Sequence, residues 1–193
     1  VVVSYTDALG TAESVSSVAT AAVSNVNDTP TGTVTISGTT TEDQVLTASN
    51  NLGDEDGLGS FGYQWKRGGV DISGATSASY TLTQVDVGQS ITVEVNYTDA
   101  QGTVESVSSV ATAGVANVND APTVSDVIGS GNEDSTITIT LSGSDEDSGD
   151  TLTSVMVSLP SHGSVSLSGT TTTYTPNTNF NGSDSFTFKV NDG

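Results

Sequence analysis

Residues 90–98 read Ser-Ile-Thr-Val-Glu-Val-Asn-Tyr-Thr. Ile91, Val93, Val95 and Tyr97 alternate with Thr92, Glu94, Asn96 and Thr98. A period of two turns successive side chains to opposite faces of a strand, so one face seeks a core and the other seeks water. Shorter stretches of the same kind predict strands near 33–37, 44–49, 62–66, 70–72 and 79–83, and a last one over 105–115. Val, Ile and Thr dominate these stretches, and turn residues separate them. No long segment repeats apolar residues at a spacing of 3.6. The pattern predicts an all-β protein built of β-sandwich modules.

A long internal repeat sets the organisation. Residues 1–30 and 93–122 match at 23 of 30 positions, at an offset of 92 residues. That period is too long for a solenoid repeat and suits a whole sandwich domain in tandem. The segment Asn25-Val26-Asn27-Asp28-Thr29-Pro30 returns as Asn117-Val118-Asn119-Asp120-Ala121-Pro122, a polar linker closed by proline. Module boundaries are expected there. Residues 1–28 then form the tail of a preceding module, 29–120 a whole module, and 121–193 a further module without its last strand. The first residues have neither a basic region nor an apolar run, so no signal peptide is read there, and the chain is expected to be an excerpt of a longer one.

Composition narrows the chemistry. Three Lys and Arg against 23 Asp and Glu give a net charge of −20, which argues against nucleic acid as a partner. No cysteine is present, which removes disulfides, thiolate catalysis and cysteine-ligated metals. No apolar run approaches the ~18 residues of a membrane span. One histidine, His162, precedes Gly163 in a turn motif and has no assignable nucleophile or orienting acid, so it reads as structural. No catalytic constellation appears, and an enzyme is not expected.

Tyr63-Gln64-Trp65-Lys66 resembles the third strand of an immunoglobulin-like domain with its core tryptophan, and residues 80–88, with Asp86-Val87-Gly88, resemble the approach to its sixth strand. The usual cysteine pair is missing. This resemblance covers 29–120 and is closest to the Ig-like repeats of large bacterial surface adhesins. The last module departs from it. Asp145-Glu146-Asp147-Ser148-Gly149-Asp150, Pro160-Ser161-His162-Gly163, Asn179-Phe180-Asn181-Gly182 and Asp184-Ser185-Phe186 resemble the cadherin-like repeats of the same adhesins, many of the RTX type. No glycine-rich calcium nonapeptide is present. The resemblance implies an extracellular location on the bacterial cell surface, calcium binding and a place in a long stalk.

The placement of the acids points the same way. In a seven-strand antiparallel sandwich, strand parity sends alternate loops to opposite ends. Seventeen of the 23 acids fall in end loops or linkers. Glu42, Asp86, Asn119 and Asp120 belong to the outgoing end of the whole module, and Asp145, Asp147, Asp150 and Asp192 to the incoming end of the next. By the same logic Asn27 and Asp28 face Asp54, Asp56 and Asp99 at the earlier junction. Such ends repel without a counterion. Calcium takes roughly six to eight oxygen ligands of these types, whereas magnesium demands a stricter octahedron. Neither acidic loop is an EF-hand, because position twelve would be Met156 or Trp65. A solvated acidic surface is the alternative.

Trp65 is expected in the core, Tyr5 and Tyr97 in core or corner positions, and Lys66 and Arg67 at the surface. Asn27, Asn96 and Asn181 begin Asn-x-Ser/Thr triplets that read as chance. The expected function is that of stalk repeats in a giant extracellular adhesin serving cell adhesion or biofilm formation. Calcium at the junctions, with an affinity of ~10⁻⁴ to 10⁻³ M, would stiffen them. Neighbouring modules of the same chain are the expected partners. Binding of a surface polysaccharide is the second reading, and an exposed aromatic platform would mark it. A third follows from the repeat frame: the strand carried by residues 1–28 of one copy could complete the open edge of 121–193 in another.

Overall fold

The computed structural model describes all 193 residues. It is all-β. Its first element is a hairpin, β1 (Val2–Thr6) paired antiparallel with β2 (Ala12–Ser16). The turn between them is locally determined. Asp7 Oδ1 accepts the N–H groups of Leu9 and Thr11 at 2.9 and 2.8 Å, and Gly10 takes φ 88°. Asx turns of this kind need a short acceptor side chain and a residue free to adopt positive φ.

The next strands are β3 (Val34–Ser37), β4 (Val45–Asn50), β5 (Gly62–Arg67), β6 (Val70–Asp71), β7 (Ser79–Thr81), β8 (Ile91–Thr98) and β9 (Val104–Ser108). They form two sheets, ordered β3-β4-β7 and β6-β5-β8-β9, all neighbours antiparallel. Ile91, Val93, Val95 and Tyr97 point inward from β8 and are buried, as their alternation requires. Trp65 is fully buried against Leu46 and Leu82 in the same core. Its indole N–H donates to the Ser77 carbonyl at 2.9 Å, so the ring brings no unpaired donor into the core.

The last strand of this sandwich is shorter than its sequence suggests. Beyond Ser108 the ladder turns irregular: the Ser109 and Thr112 N–H groups still donate to the Val93 and Ile91 carbonyls, but hydroxyls take the return bonds. Ser109 and Thr112 Oγ atoms accept the N–H groups of Val93 and Ile91 at 3.1 and 3.0 Å. The chain then runs on to Val115 and Ala116, which bridge in parallel to Val87 and Thr41. Val115 thereby enters the core and Ala116 reaches the outgoing end.

Arg67 corrects the surface reading. Its Nε donates to Asp86 Oδ1 at 2.6 Å, and the Asp86 side chain is wholly buried. Asp86 Oδ2 accepts the Tyr80 hydroxyl at 2.8 Å, the Thr83 N–H at 2.8 Å and the Thr83 hydroxyl at 3.0 Å. Burial alone would raise the Asp86 carboxyl. Arg67, the Thr83 N–H and the two hydroxyls outweigh it and hold the carboxyl below its usual value. Asp86 is therefore an internal lock between β5, β7 and the turn before β8, not a junction ligand. Lys66 does face outward, paired with Glu94 at 2.9 Å and Asp71 at 3.5 Å.

The remaining strands are β10 (Thr123–Val124), β11 (Ile137–Thr140), β12 (Gly143–Ser144), β13 (Thr153–Ser158), β14 (Gly163–Ser168), β15 (Thr171–Pro176) and β16 (Thr187–Asn191). They pair as β10-β12, β11-β15-β14 and β13-β16. Asp43 and Asp134 both adopt left-handed backbone, φ 62° and 60°, each after a glutamate and just before β4 or β11. Aspartate is one of the few residues that tolerates this region. Tyr174 repeats the buried lock in another form. Its hydroxyl donates to Asp184 at 3.0 Å, and Asp184 also accepts the N–H groups of Ser161, His162 and Ser185 at 2.8–3.0 Å. Burial pushes the Asp184 carboxyl up, but these four donors prevail and bring it to about 2. His162 stacks on Phe180 with centroids 4.5 Å apart beside this lock, a packing role. Tyr5 does not reach a core and is 57% exposed, because residues 1–28 carry only a hairpin. No helix is long and apolar enough to cross a membrane.

Two outcomes follow. Arg67→Met leaves Asp86 buried without its cation and should destabilise the sandwich of residues 34–116 by roughly 3 kcal/mol, the low end for a broken buried pair. Trp65 fluorescence during urea unfolding measures it. A depressed carboxyl gives stability that is present above its unfolded value near ~3.9 and lost as pH falls through the folded one. Circular dichroism should accordingly show the last sandwich losing stability between pH ~4 and ~2. Asp184→Asn should be less stable at neutral pH and lose less across that window.

Candidate metal centre at the module junction

Three separate pieces of chain meet where the two sandwiches join. Glu42 lies in the loop between β3 and β4, held by a backbone bond from its N–H to the Ala116 carbonyl at 2.9 Å. Asp120 lies in the linker. Asp147 lies in the loop between β12 and β13. Their carboxylate oxygens fall within 4.8 Å of one another, and Glu42 and Asp147 are buried. Asp145, Asp147 and Asp150 form a second triple within the same distance, so Asp147 is shared.

Backbone bonds lock these loops to the linker. The Asp120 N–H donates to Asp147 Oδ2 at 2.7 Å, and the Asp147 N–H donates to Asp145 Oδ1 at 3.0 Å. The Asn119 amide donates to Asp192 Oδ2 at 2.8 Å. The Val118 N–H donates to Glu42 Oε2 at 3.3 Å. Gln84, just after β7, reaches across to the Glu146 carbonyl at 3.0 Å and Asp147 Oδ1 at 3.3 Å.

Electrostatics divide the acids. The Asp120 N–H and the Asn117 and Gln84 amides hold the Asp147 carboxyl below its usual value against the cost of burial. Burial raises Glu42, and Asp120, Asp43 and Asp147 add to the rise, opposed by the Val118 N–H. Burial also raises Asp150, with Asp147, Asp145 and Asp192 contributing. Two of the four buried side-chain oxygens that lack any protein partner lie at this joint, Asp145 Oδ2 and Gln84 Oε1; Asp99 Oδ2, at the earlier junction, is another. Unpaired buried acceptors beside crowded carboxylates are what a hard cation would satisfy, and every donor here is oxygen.

The earlier junction carries the same scaffold without the gathering. The Asp28 N–H donates to Asp56 Oδ2 at 2.8 Å, and the Asp56 N–H donates to Asp54 Oδ1 at 2.9 Å. Both bonds reproduce those of Asp120, Asp147 and Asp145. The Asn27 amide donates to Glu105 at 2.8 Å instead of to Asp99. The Tyr97 hydroxyl donates to Asp54 Oδ2, while Asp99 Oδ1 accepts the N–H groups of Gln101 and Thr103 at 2.8 Å. No three of these carboxylates come within 4.8 Å.

Thus Glu42, Asp120, Asp145, Asp147 and Asp150 are brought together. Asn119 and Asp192 sit beside them as a bonded pair. Asn27, Asp28, Asp54, Asp56 and Asp99 form the scaffold of the other junction, and Asp86 lies inside a sandwich. Gln84 and Asn117 were not legible as site residues. An isolated amide carries no spacing signal, although Asn117 opens the repeated linker.

Residues 119–193 match a family model described as Bacterial Ig domain. No curated protein and no solved structure matches the chain. The matched segment spans the last sandwich from the linker onward.

Proposed function

We propose that the chain is a run of structural repeats from an extracellular bacterial surface protein, with calcium held between consecutive sandwiches. The observation that carries this reading is the convergence of Glu42, Asp120 and Asp147, one each from the first sandwich, the linker and the second sandwich. An ion shared by three such pieces ties the modules into one rigid unit. It also neutralises the carboxylates whose repulsion would otherwise splay the joint. Glu42, Asp120, Asp145, Asp147 and Asp150 would supply carboxylates, and Gln84 a carbonyl oxygen.

The resemblance to adhesin repeats extends the reading to a stalk. Repeated joints of this kind hold an adhesive domain away from the cell, for attachment or biofilm formation. Weak sites, ~10⁻⁴ to 10⁻³ M, suit an exterior where calcium is millimolar. Duplication of the linker and of the acidic loop supports a mechanical role, because a stalk needs copies of its joint.

Calcium at ~10 mM should raise the unfolding temperature by roughly 3–10 °C over excess chelator, from ligand linkage at about a tenfold to hundredfold excess over the dissociation constant. Magnesium should do less. Equal melting in calcium and chelator would sink the reading. Glu42→Gln separates the site from the fold. It removes one of the crowded carboxylates, so melting in chelator should hold or rise while most of the calcium shift disappears. Small-angle scattering should show a narrower distribution of dimensions with calcium than without.

A further inference from the structure

We infer that the segment Val115–Ala116 is a shear latch, the contact through which the first sandwich carries tension from one linker to the other. Two parallel bridges hold it, Ala116 to Thr41 on one side and Val115 to Val87 on the other. Four backbone hydrogen bonds flank these bridges. The Glu42 N–H donates to the Ala116 carbonyl at 2.9 Å, and the Ala116 N–H donates to the Thr40 carbonyl at 2.9 Å. On the opposite side the Gly88 N–H donates to the Val115 carbonyl at 2.9 Å, and the Val115 N–H donates to the Gln89 carbonyl at 3.0 Å. The strand pairs inside the two sheets of this sandwich are all antiparallel, so the latch differs from them in direction.

That direction decides how the bonds are loaded. β3 leaves the incoming linker and runs to the loop that holds Thr40, Thr41 and Glu42. The last segment runs the same way and leaves directly as the outgoing linker. Pulling the two linkers apart draws β3 backward and Ala116 forward. Parallel segments drawn in opposite directions slide past each other, so the bonds on both sides stretch together. A strand lifted sideways from one end loses its bonds one after another instead. Forced unfolding follows the rate of crossing the barrier, so shared loading prolongs life under tension with no gain in equilibrium stability.

The local sequence fits this use. Gly114 lets two backbones approach closely, since a Cβ there would stand 3.2 Å from the Gly88 carbonyl oxygen. Val115 is 3% exposed and anchors the segment in the core. Ala116 is exposed, so its part in the latch is played by its backbone. Glu42 gives its N–H to the latch and its carboxylate to the joint. Latch and joint thus lie in series on one line of tension. That tension acts along the chain rests on the stalk reading, whereas the latch belongs to this sandwich and needs no metal.

Single-molecule force-clamp measurements on the full chain, in excess chelator, test the latch apart from calcium. The chain has no cysteine, so paired cysteine handles define the direction of pull. Thr29→Cys with Ala121→Cys pulls along the linkers. Gln44→Cys with Ala121→Cys pulls across the same bonds from one end. All three positions are exposed. At one force the first pair should survive on the order of a hundredfold longer, because four bonds share the load in one direction and a single bond bears it in the other. Ala116→Pro removes the N–H that bonds Thr40. Along the linkers it should unfold about fivefold faster, the equivalent of losing one backbone bond from the barrier, and across them it should change little. Equal lifetimes in the two directions, or a proline effect of the same size in both, would each overturn the inference. The comparison of directions alters only exposed positions, so it decides the matter even where the proline variant does not fold.

Discussion

The joint between the sandwiches must bring carboxylates together, and the linker's backbone makes that feasible. Asp147 is buried among acids yet stays ionised, because the Asp120 N–H and two amides converge on it. That single acceptor fixes the linker to the next module's acidic loop. Glu42 then comes within reach from the other side, where its own N–H is already bonded to Ala116. Loss of solvent raises Glu42 and Asp150, and the neighbouring acids add to the rise, so the cluster is held partly against its own repulsion.

The path of the first sandwich's last strand serves the same end. Hydroxyls of Ser109 and Thr112 take half of the bonds to β8, and the chain runs on beside it to Val115 and Ala116. Core packing by Val115 and docking of Glu42 on Ala116 are therefore coupled. Stability within a module and geometry between modules share the same few residues.

Both sandwiches also bury an aspartate against a tyrosine hydroxyl, by different means. Asp86 takes a guanidinium, and Asp184 takes three backbone N–H groups. Either set lowers the carboxyl by offering donors to its charged form. In the first module this lock draws in one of only three basic residues and leaves no acid free at that place for the joint.

Much of this was legible in the sequence. Alternation in β8 set its buried face, because strand geometry allows no other assignment of Ile91, Val93, Val95 and Tyr97. The Asp7 and Asp99 turns, which the sequence reading did not single out, are local, each closed by side chain–backbone bonds within four residues. Parity of strands sent Glu42, Asp120 and Asp147 to one joint. It could not separate Asp86 from them, because a loop acid may turn inward, and only the nearness of Arg67 and Tyr80 decides that. Nor could it find Gln84 or Asn117, whose roles come from reaching across the chain to Asp147. Period and loop order belong to the chain's own geometry, so sequence alone determined the all-β class and the ends to which acids go. Which carboxylate is paired, shared or left crowded depends on distances between distant segments, and only the packed structure decided those.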